Sequence, residues 1–268
     1  MHEPQFVTSS GTPVWIDGDG PTLVLVHGVL MDHRMWAPQV TAFASHYRVC
    51  CIDMLGHGRA PNPDGPRSLE DFVEQVDEVI HQLECDTRPV LGGFSMGGLI
   101  TQAYAAKHHQ KLSGAIILNA VYDRTPEQSN IVRGRFAAME EKGVEAAVQS
   151  AQERWFTDED RLTRPETVDE IINWMREGEF APKLKAHRVF GTSDGEVAGR
   201  LGEVSCPALV MTGDGDGGST PAMAEAIAGA LPNAELHVLD DQRHMMPVLD
   251  ADRVNDVLRH FLARTFSL

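Results

Sequence analysis

The sequence lacks any apolar run near the roughly 18 residues that a membrane-spanning helix needs, so we expect no membrane segment. The residues from Met1 to Phe6 also lack a basic stretch followed by an apolar one, so we expect no secretory signal. The four cysteines do not have zinc-ligand spacing, and Cys50 and Cys51 adjoin within an apolar run, which favours buried, reduced thiols. Together these features predict a cytoplasmic protein.

Positive charge is also scarce. The chain has 23 Lys and Arg residues against 39 Asp and Glu residues, which gives a net charge of −16. Such a surface repels phosphate backbones and anionic membranes, so we expect neither nucleic acid nor a membrane as a partner. An anionic substrate would need a local group of cations. The length of 268 residues allows one large α/β domain or two small ones and leaves the oligomeric state open.

Short apolar runs recur along the chain and predict strands. They are Thr22–Val26, Arg48–Ile52, Pro89–Phe94, Gly114–Leu118, Ala208–Met211 and the more alternating Ala234–Leu239, which is expected near a sheet edge. Continuous apolar runs are typical of strands covered on both faces. Helical patterns lie between them, and the clearest follows Ser68, where Asp71 predicts a capping box. This alternation predicts an α/β fold with a mainly parallel central sheet and helices on both faces.

The alternation stops between about residues 122 and 202. This stretch is polar and helix-prone and has no clear strand, although Ala186–Phe190 is ambiguous. It predicts a helical insertion that lies over the sheet. We therefore expect a core of residues 1–121 and 203–268, with a helical cap of residues 122–202 inserted into it.

Ser95 lies in the segment Gly93-Phe94-Ser95-Met96-Gly97, after an apolar run and before a helical pattern. This context is typical of a nucleophile elbow, in which a strained turn exposes the serine hydroxyl at the end of a strand. The alternative is a glycine-rich turn with an incidental serine, and the five-residue pattern alone does not separate the two. The flanking strand and helix favour the nucleophile.

A serine nucleophile needs a base, and His244 follows the last predicted strand. Loops at the carboxyl ends of strands hold the site of an open α/β sheet. Asp216 follows the preceding strand and is predicted to orient His244. Asp214 in the same loop and Asp123 after an earlier strand are alternatives. Asp216 is favoured over Asp214 because it lies further from the strand end, where the loop can reach His244.

These motifs resemble those of the α/β hydrolases of the esterase, haloperoxidase and 3-oxoadipate enol-lactonase branch. The resemblance spans the chain outside about residues 122–202. It is carried by His27-Gly28-Val29, Asp53-Met54-Leu55-Gly56-His57-Gly58-Arg59, Gly213-Asp214-Gly215-Asp216 and Gln242-Arg243-His244. It implies the α/β-hydrolase fold and an oxyanion hole made by the backbone N–H groups of Val29 and Met96. It also implies that His57 belongs to a structural loop.

The resemblance implies a hydrolase that cleaves a small carboxylic ester or lactone through an acyl-enzyme on Ser95, with no metal or other cofactor. C–C bond hydrolysis, a non-catalytic ligand-binding protein of this fold and a dinucleotide binder are alternatives. The dinucleotide-binding alternative rests on the glycine pattern Gly213-x-Gly215-x-x-Gly218. It is disfavoured because Pro221 is expected to begin the helix after Gly218, and because two aspartates lie where a pyrophosphate would bind.

The enol-lactonase branch acts on small substrates that often carry a carboxylate. The predicted cap could supply cations for such a substrate from Arg133, Arg135, Arg154, Arg161 and Arg164. The alternative for each of them is pairing with cap carboxylates at the surface. Arg154 and Trp155 are the predicted substrate contacts, because Trp155 and Phe156 indicate a segment that packs toward the core. We therefore expect a small-molecule substrate and a modest preference for anions.

Overall fold

The computed structural model describes residues 3–267. Met1 and His2, which belong to the segment predicted not to be a secretory signal, lie outside the described residues. Its strands are β1 (Phe6–Val7), β2 (Pro13–Asp17), β3 (Thr22–Val26), β4 (Arg48–Ile52), β5 (Val90–Phe94), β6 (Gly114–Leu118), β7 (Ala208–Gly213) and β8 (Ala234–Leu239). They form one sheet in the order β1-β2-β4-β3-β5-β6-β7-β8. Neighbours from β4 to β8 are parallel, whereas the β1–β2 and β2–β4 pairs are antiparallel. The predicted mainly parallel sheet is confirmed.

All six predicted runs form strands, β3 to β8. Every residue of β3, β5, β6 and β7 is buried, which explains why these runs are continuously apolar. The last strand, β8, is at the sheet edge and alternates in exposure, as predicted. Strands β1 and β2 are not predicted by the apolar runs. The first has only two residues and the second starts at a proline, so neither forms a long apolar run.

The helices outside the stretch between β6 and β7 connect or follow the strands. They are α1 (Ala37–Phe43), α2 (Leu69–Gln82), α3 (Met96–His108), α9 (Pro221–Ala230), α10 (Met246–Leu249) and α11 (Ala251–Phe266). Ser68 and Asp71 form the predicted capping box of α2. Helices α1, α10 and α11 contact one another, and α2 contacts α3, which gives the two helix groups of a covered sheet. No helix of the described chain is long and apolar enough to cross a membrane.

Five α-helices lie between β6 and β7, and we call them the helical insertion. They are α4 (Pro126–Lys142), α5 (Val144–Arg154), α6 (Asp158–Thr163), α7 (Pro165–Arg176) and α8 (Phe180–Thr192). The ambiguous segment Ala186–Phe190 is part of α8. The division into a core and a cap at residues 122 and 202 stays a prediction.

Candidate active site

Ser95 joins β5 to α3 in a strained turn. Its φ of 54° and ψ of −111° are rare for a residue with a side chain, and its N–H donates to the carbonyl oxygen of Leu118 at 2.8 Å. A Cβ on Gly93 would lie 2.0 Å from the carbonyl oxygen of Gly97, and one on Gly97 would lie 2.1 Å from that of Val26. Only glycine therefore fits on either side, which is the geometry of a nucleophile elbow.

The three predicted triad residues meet at the carboxyl edge of the sheet. Nε2 of His244 lies 3.1 Å from Oγ of Ser95, and Nδ1 of His244 lies 2.6 Å from Oδ2 of Asp216. All three residues are buried. This arrangement matches a nucleophile, a base and an orienting acid, and their catalytic roles stay a prediction.

Besides the hydrogen bond from His244, the carboxylate of Asp216 accepts further hydrogen bonds on both of its oxygens. Nδ2 of Asn119 donates to Oδ2, and the N–H groups of Gly218 and Ser219 donate to Oδ1, each at 2.9 Å. Burial acts to raise the pKa of Asp216, but His244 and these hydrogen bonds outweigh it and lower the pKa below its ordinary value. Asp216 is therefore ionised at neutral pH and held in one orientation.

The two alternative acids lie elsewhere. Asp214 is exposed and accepts a hydrogen bond from the N–H of Gln242 at 3.2 Å, which ties together the loops after β7 and β8. Asp123 is exposed in the turn before α4, with φ 41°. Of the three candidates, Asp216 is the one in contact with His244.

The predicted oxyanion hole lies beside this triad. The backbone N–H groups of Val29 and Met96 have no hydrogen-bond partner within residues 3–267, and Val29 lines the same cavity as Ser95. The Val29 loop is held in shape by Leu30, which has φ 70° and whose N–H donates to Nε2 of His57 at 3.1 Å. These two N–H groups are available to a developing oxyanion, and this role stays a prediction.

Both ring nitrogens of His57 form hydrogen bonds in the structure. It is buried, its Nδ1 donates to the carbonyl oxygen of Leu55 at 3.2 Å, and its Nε2 accepts from Leu30. Burial, and then repulsion from His27, lower the pKa of His57 well below its ordinary value. These contacts agree with the structural role that the resemblance implies.

We expect His57 to make the protein less stable as the pH falls. A histidine that stays neutral in the folded state binds a proton only after unfolding, so stability decreases as the pH drops below the ordinary histidine pKa of 6.5. Nuclear magnetic resonance should show no titration of the His57 ring between about pH 7.5 and about pH 5.5. Urea unfolding over the same range should show a smaller pH dependence in His57→Gln. A His57 ring that titrates normally in the folded protein would contradict this.

A second polar cluster consists of Asp32, His33 and Asp53, whose potential metal-ligand atoms lie within 4.8 Å of one another. Asp53 accepts hydrogen bonds from the N–H and Nδ1 of His33 and from the N–H of Arg59. Asp32 is paired with Arg34 at 2.6 Å. These bonds engage both carboxylates, and those of Asp53 tie the loop after β3 to that after β4.

The cavity at Ser95 is lined in part by α4, α5 and α8 of the helical insertion. The volume of this cavity is about 60 Å³, which favours a small substrate. Trp155, a predicted contact, lines it, and its ring centroid lies 5.4 Å from that of His244. A larger cleft of about 460 Å³, lined by Arg34 and Glu177, contains none of the triad residues.

Comparison with known proteins identifies the family of the chain. The profile of the alpha/beta hydrolase family matches residues 23–257. The chain belongs to the α/β-hydrolase family.

Three known proteins are similar to this α/β hydrolase over most of its length. A protein of Acinetobacter baylyi named (E)-2-((N-methylformamido)methylene)succinate hydrolase is 31% identical over 249 residues, which are 92% of each chain. The 3-oxoadipate enol-lactonase 2 of the same organism is 26% identical over 222 residues, 83% of this chain and 81% of the other. The crystal structure of the enol-lactonase from Burkholderia xenovorans superimposes on this chain with a TM-score of 0.86 at 27% sequence identity. The match covers 96% of this chain and 98% of the enol-lactonase chain.

Three arginines line the cavity of this α/β hydrolase. Arg124, which the sequence analysis did not single out, is paired with Asp194 at 2.8 Å. Arg135 and the predicted contact Arg154 have no carboxylate oxygen within 4.0 Å in residues 3–267. Burial, and then repulsion from Arg135, lower the pKa of Arg154 to about 10. Two unpaired cations therefore lie beside the triad in a strongly acidic protein.

The other three arginines of the predicted set are exposed, and two of them, Arg161 and Arg164, follow the surface alternative of pairing with carboxylates. Each contacts a residue three or four positions before it: Arg133 contacts Asn130, Arg161 contacts Asp158 at 2.9 Å, and Arg164 contacts Asp160 at 3.4 Å. The distinction between cavity and surface arginines depends on which side of each helix faces the core.

The glycine-rich loop after β7 does not favour a dinucleotide. Helix α9 begins at Pro221, so Gly218 lies before it, as expected. The N–H groups of Gly218 and Ser219, which a pyrophosphate would need, already donate to Asp216.

Proposed function

We propose that this α/β hydrolase cleaves a small carboxylic ester or lactone through an acyl-enzyme on Ser95. The observation that carries the proposal is the continuous contact from Oγ of Ser95 through His244 to Asp216. In this mechanism, Nε2 of His244 takes the hydroxyl proton as Oγ attacks the carbonyl carbon. Asp216 holds the tautomer that makes this possible and stabilises the imidazolium that forms.

The N–H groups of Val29 and Met96 would then stabilise the tetrahedral oxyanion, with the amino end of α3 adding a favourable field. Collapse of the intermediate expels the alcohol oxygen, which takes the proton from His244, and leaves the acyl group on Ser95. A water molecule then attacks the acyl carbon, with His244 again as base, and releases the acid and free Ser95. This sequence needs no metal or cofactor.

A second candidate is hydrolysis of an amide-bearing dicarboxylate. It is favoured by the 31% identity to a hydrolase named for an N-methylformamido-methylene succinate, together with the two unpaired arginines beside the triad. C–C bond hydrolysis by the same fold stays an alternative.

The experiment that separates these reactions is a panel of small esters, lactones, an enamide of succinate and C–C diketones, assayed with wild type and Ser95→Ala. We expect turnover of an ester or lactone that is lost in Ser95→Ala. Turnover of the enamide or a diketone alone would identify the alternative reaction. Turnover of an ester or lactone that persists in Ser95→Ala would contradict the acyl-enzyme.

We further propose a preference for substrates that carry a carboxylate. A guanidinium can hold a carboxylate with two parallel hydrogen bonds. Arg135 and Arg154 both line the cavity; Nε of Arg154 donates to Oγ of Ser150 at 3.2 Å, and its terminal N–H groups have no acceptor within residues 3–267. An anion between them would also relieve their mutual repulsion, which contributes to the lowered pKa of Arg154. The substrates named for the enol-lactonase and succinate hydrolase relatives are acids as well.

Arg154→Ala should raise the KM for an anionic ester and leave the KM for a neutral ester nearly unchanged. With monomethyl succinate, we expect KM to rise about 10-fold to 100-fold, since a hydrogen bond to a charged group contributes about 1.5–3 kcal/mol. With dimethyl succinate, KM should change by less than about threefold. Arg161→Ala, which removes a surface arginine of the insertion, is the control and should change neither. Equal KM changes for both esters in Arg154→Ala would reject the anionic preference.

A further inference from the structure

His187 is a cavity residue that neither the sequence motifs nor the triad mechanism uses. It lies on α8 and lines the same cavity as Ser95, Arg135 and Arg154. Phe136 and Phe190 flank its ring, with centroid distances of 6.3 Å and 6.2 Å. The imidazole is therefore held by aromatic neighbours in the wall that faces the triad.

The ring of His187 has no hydrogen-bond partner in residues 3–267, and its Nδ1 is fully buried. In contrast, the buried histidines His27 and His57 near the site use both ring nitrogens in hydrogen bonds. In His27, Nδ1 donates to Gly28 and Nε2 accepts from Met54, and His57 likewise uses both nitrogens. Because Nδ1 is out of reach of solvent, Nε2 is the ring nitrogen that a ligand in the cavity can contact, and it has no protein partner within residues 3–267.

The charges around His187 determine what kind of partner it can take. Burial, and then repulsion from Arg154, Arg124 and Arg135, lower its pKa to about 4, so the ring is neutral at pH 7. A neutral imidazole offers one N–H donor and one acceptor. Beside two unpaired guanidiniums, the group that needs a further N–H donor is an anion.

We propose that His187 is a specificity-determining residue whose ring N–H donates to the substrate carboxylate held by Arg135 and Arg154. This inference rests on the proposed function, because it assigns a third contact to the same bound carboxylate. The arginines supply charge, and the fixed imidazole supplies direction. The imidazole thereby adds a third hydrogen bond to the bound carboxylate and strengthens its binding.

The test measures binding first, in a Ser95→Ala background that does not turn over the ligand. Calorimetry with monomethyl succinate should show at least about 10-fold weaker binding when His187→Leu is added. His187→Gln, which keeps a side-chain N–H donor, should restore most of the affinity. Lys185→Leu, on the same helix but outside the cavity lining, should have no effect. Dimethyl succinate should bind all variants alike.

Kinetics with intact Ser95 separates recognition from folding. His187→Leu should raise KM for the anionic ester about 10-fold and change kcat by less than about threefold, with the neutral ester unaffected. Equal losses for both esters, or no binding difference between His187→Leu and its parent, would overturn the proposal. If Ser95→Ala retained activity while His187→Leu still lost carboxylate binding, the acyl-enzyme would fail and the recognition role would stand.

Discussion

Replacement of Ser95 by alanine is expected to lower kcat by about 10³-fold or more while the fold is retained. The hydroxyl is the one group that alanine removes, and the strained turn depends on the flanking glycines, which remain. Addition of His244→Ala to this variant should lower kcat little further, because a base without its nucleophile has nothing to activate.

The measurement compares kcat for Ser95→Ala, His244→Ala and the double variant, with circular dichroism to verify the fold. A fluorophosphonate probe should label wild type and leave Ser95→Ala unlabelled, since it reacts with an activated serine. Losses that multiply in the double variant would show that the two residues do not act as a unit. A wild-type protein that neither reacts with the probe nor turns over the panel would favour the non-catalytic ligand-binding alternative.

Asp216→Asn is expected to lower kcat by about 10⁴-fold, the effect of an amide in place of the triad acid in serine proteases. In the native site, Oδ2 of Asp216 accepts hydrogen bonds from both His244 and Asn119. An amide N–H at this position would oppose one of these donors and favour the wrong tautomer of His244. The hydroxyl of Ser95 would then have no acceptor for its proton.

Asp214→Asn is the matched control, because it makes the same chemical change in the same loop at an exposed carboxylate. Its kcat should stay within about threefold of wild type. The two variants are compared by kcat/KM on one ester, with thermal unfolding to exclude gross destabilisation. If Asp214→Asn lost its activity while Asp216→Asn kept it, the assignment of Asp216 as the triad acid would be rejected.

The strands of the core could be predicted because burial on both faces requires continuous apolar residues, which are visible locally. Thr22–Val26 and Gly114–Leu118 were identified with their final bounds. The antiparallel strands β1 and β2 have no such run and depend on pairing with a sheet that is already formed. The helical state of Ala186–Phe190 depends in the same way on packing of α8 against α4.

The sequence alone determined the features that depend on neighbouring residues: the buried strands, the α2 capping box, and a serine flanked by glycines between a strand and a helix. Tertiary structure decided which of three aspartates contacts His244, and which arginines reach the cavity. It also decided that His187, which no motif marks, lies beside them. The physical reason is that these contacts join residues far apart in the chain, such as Ser95 and His244 at a separation of 149 residues. Their geometry is set by how the loops meet at the sheet edge and by which face each helix of the insertion buries.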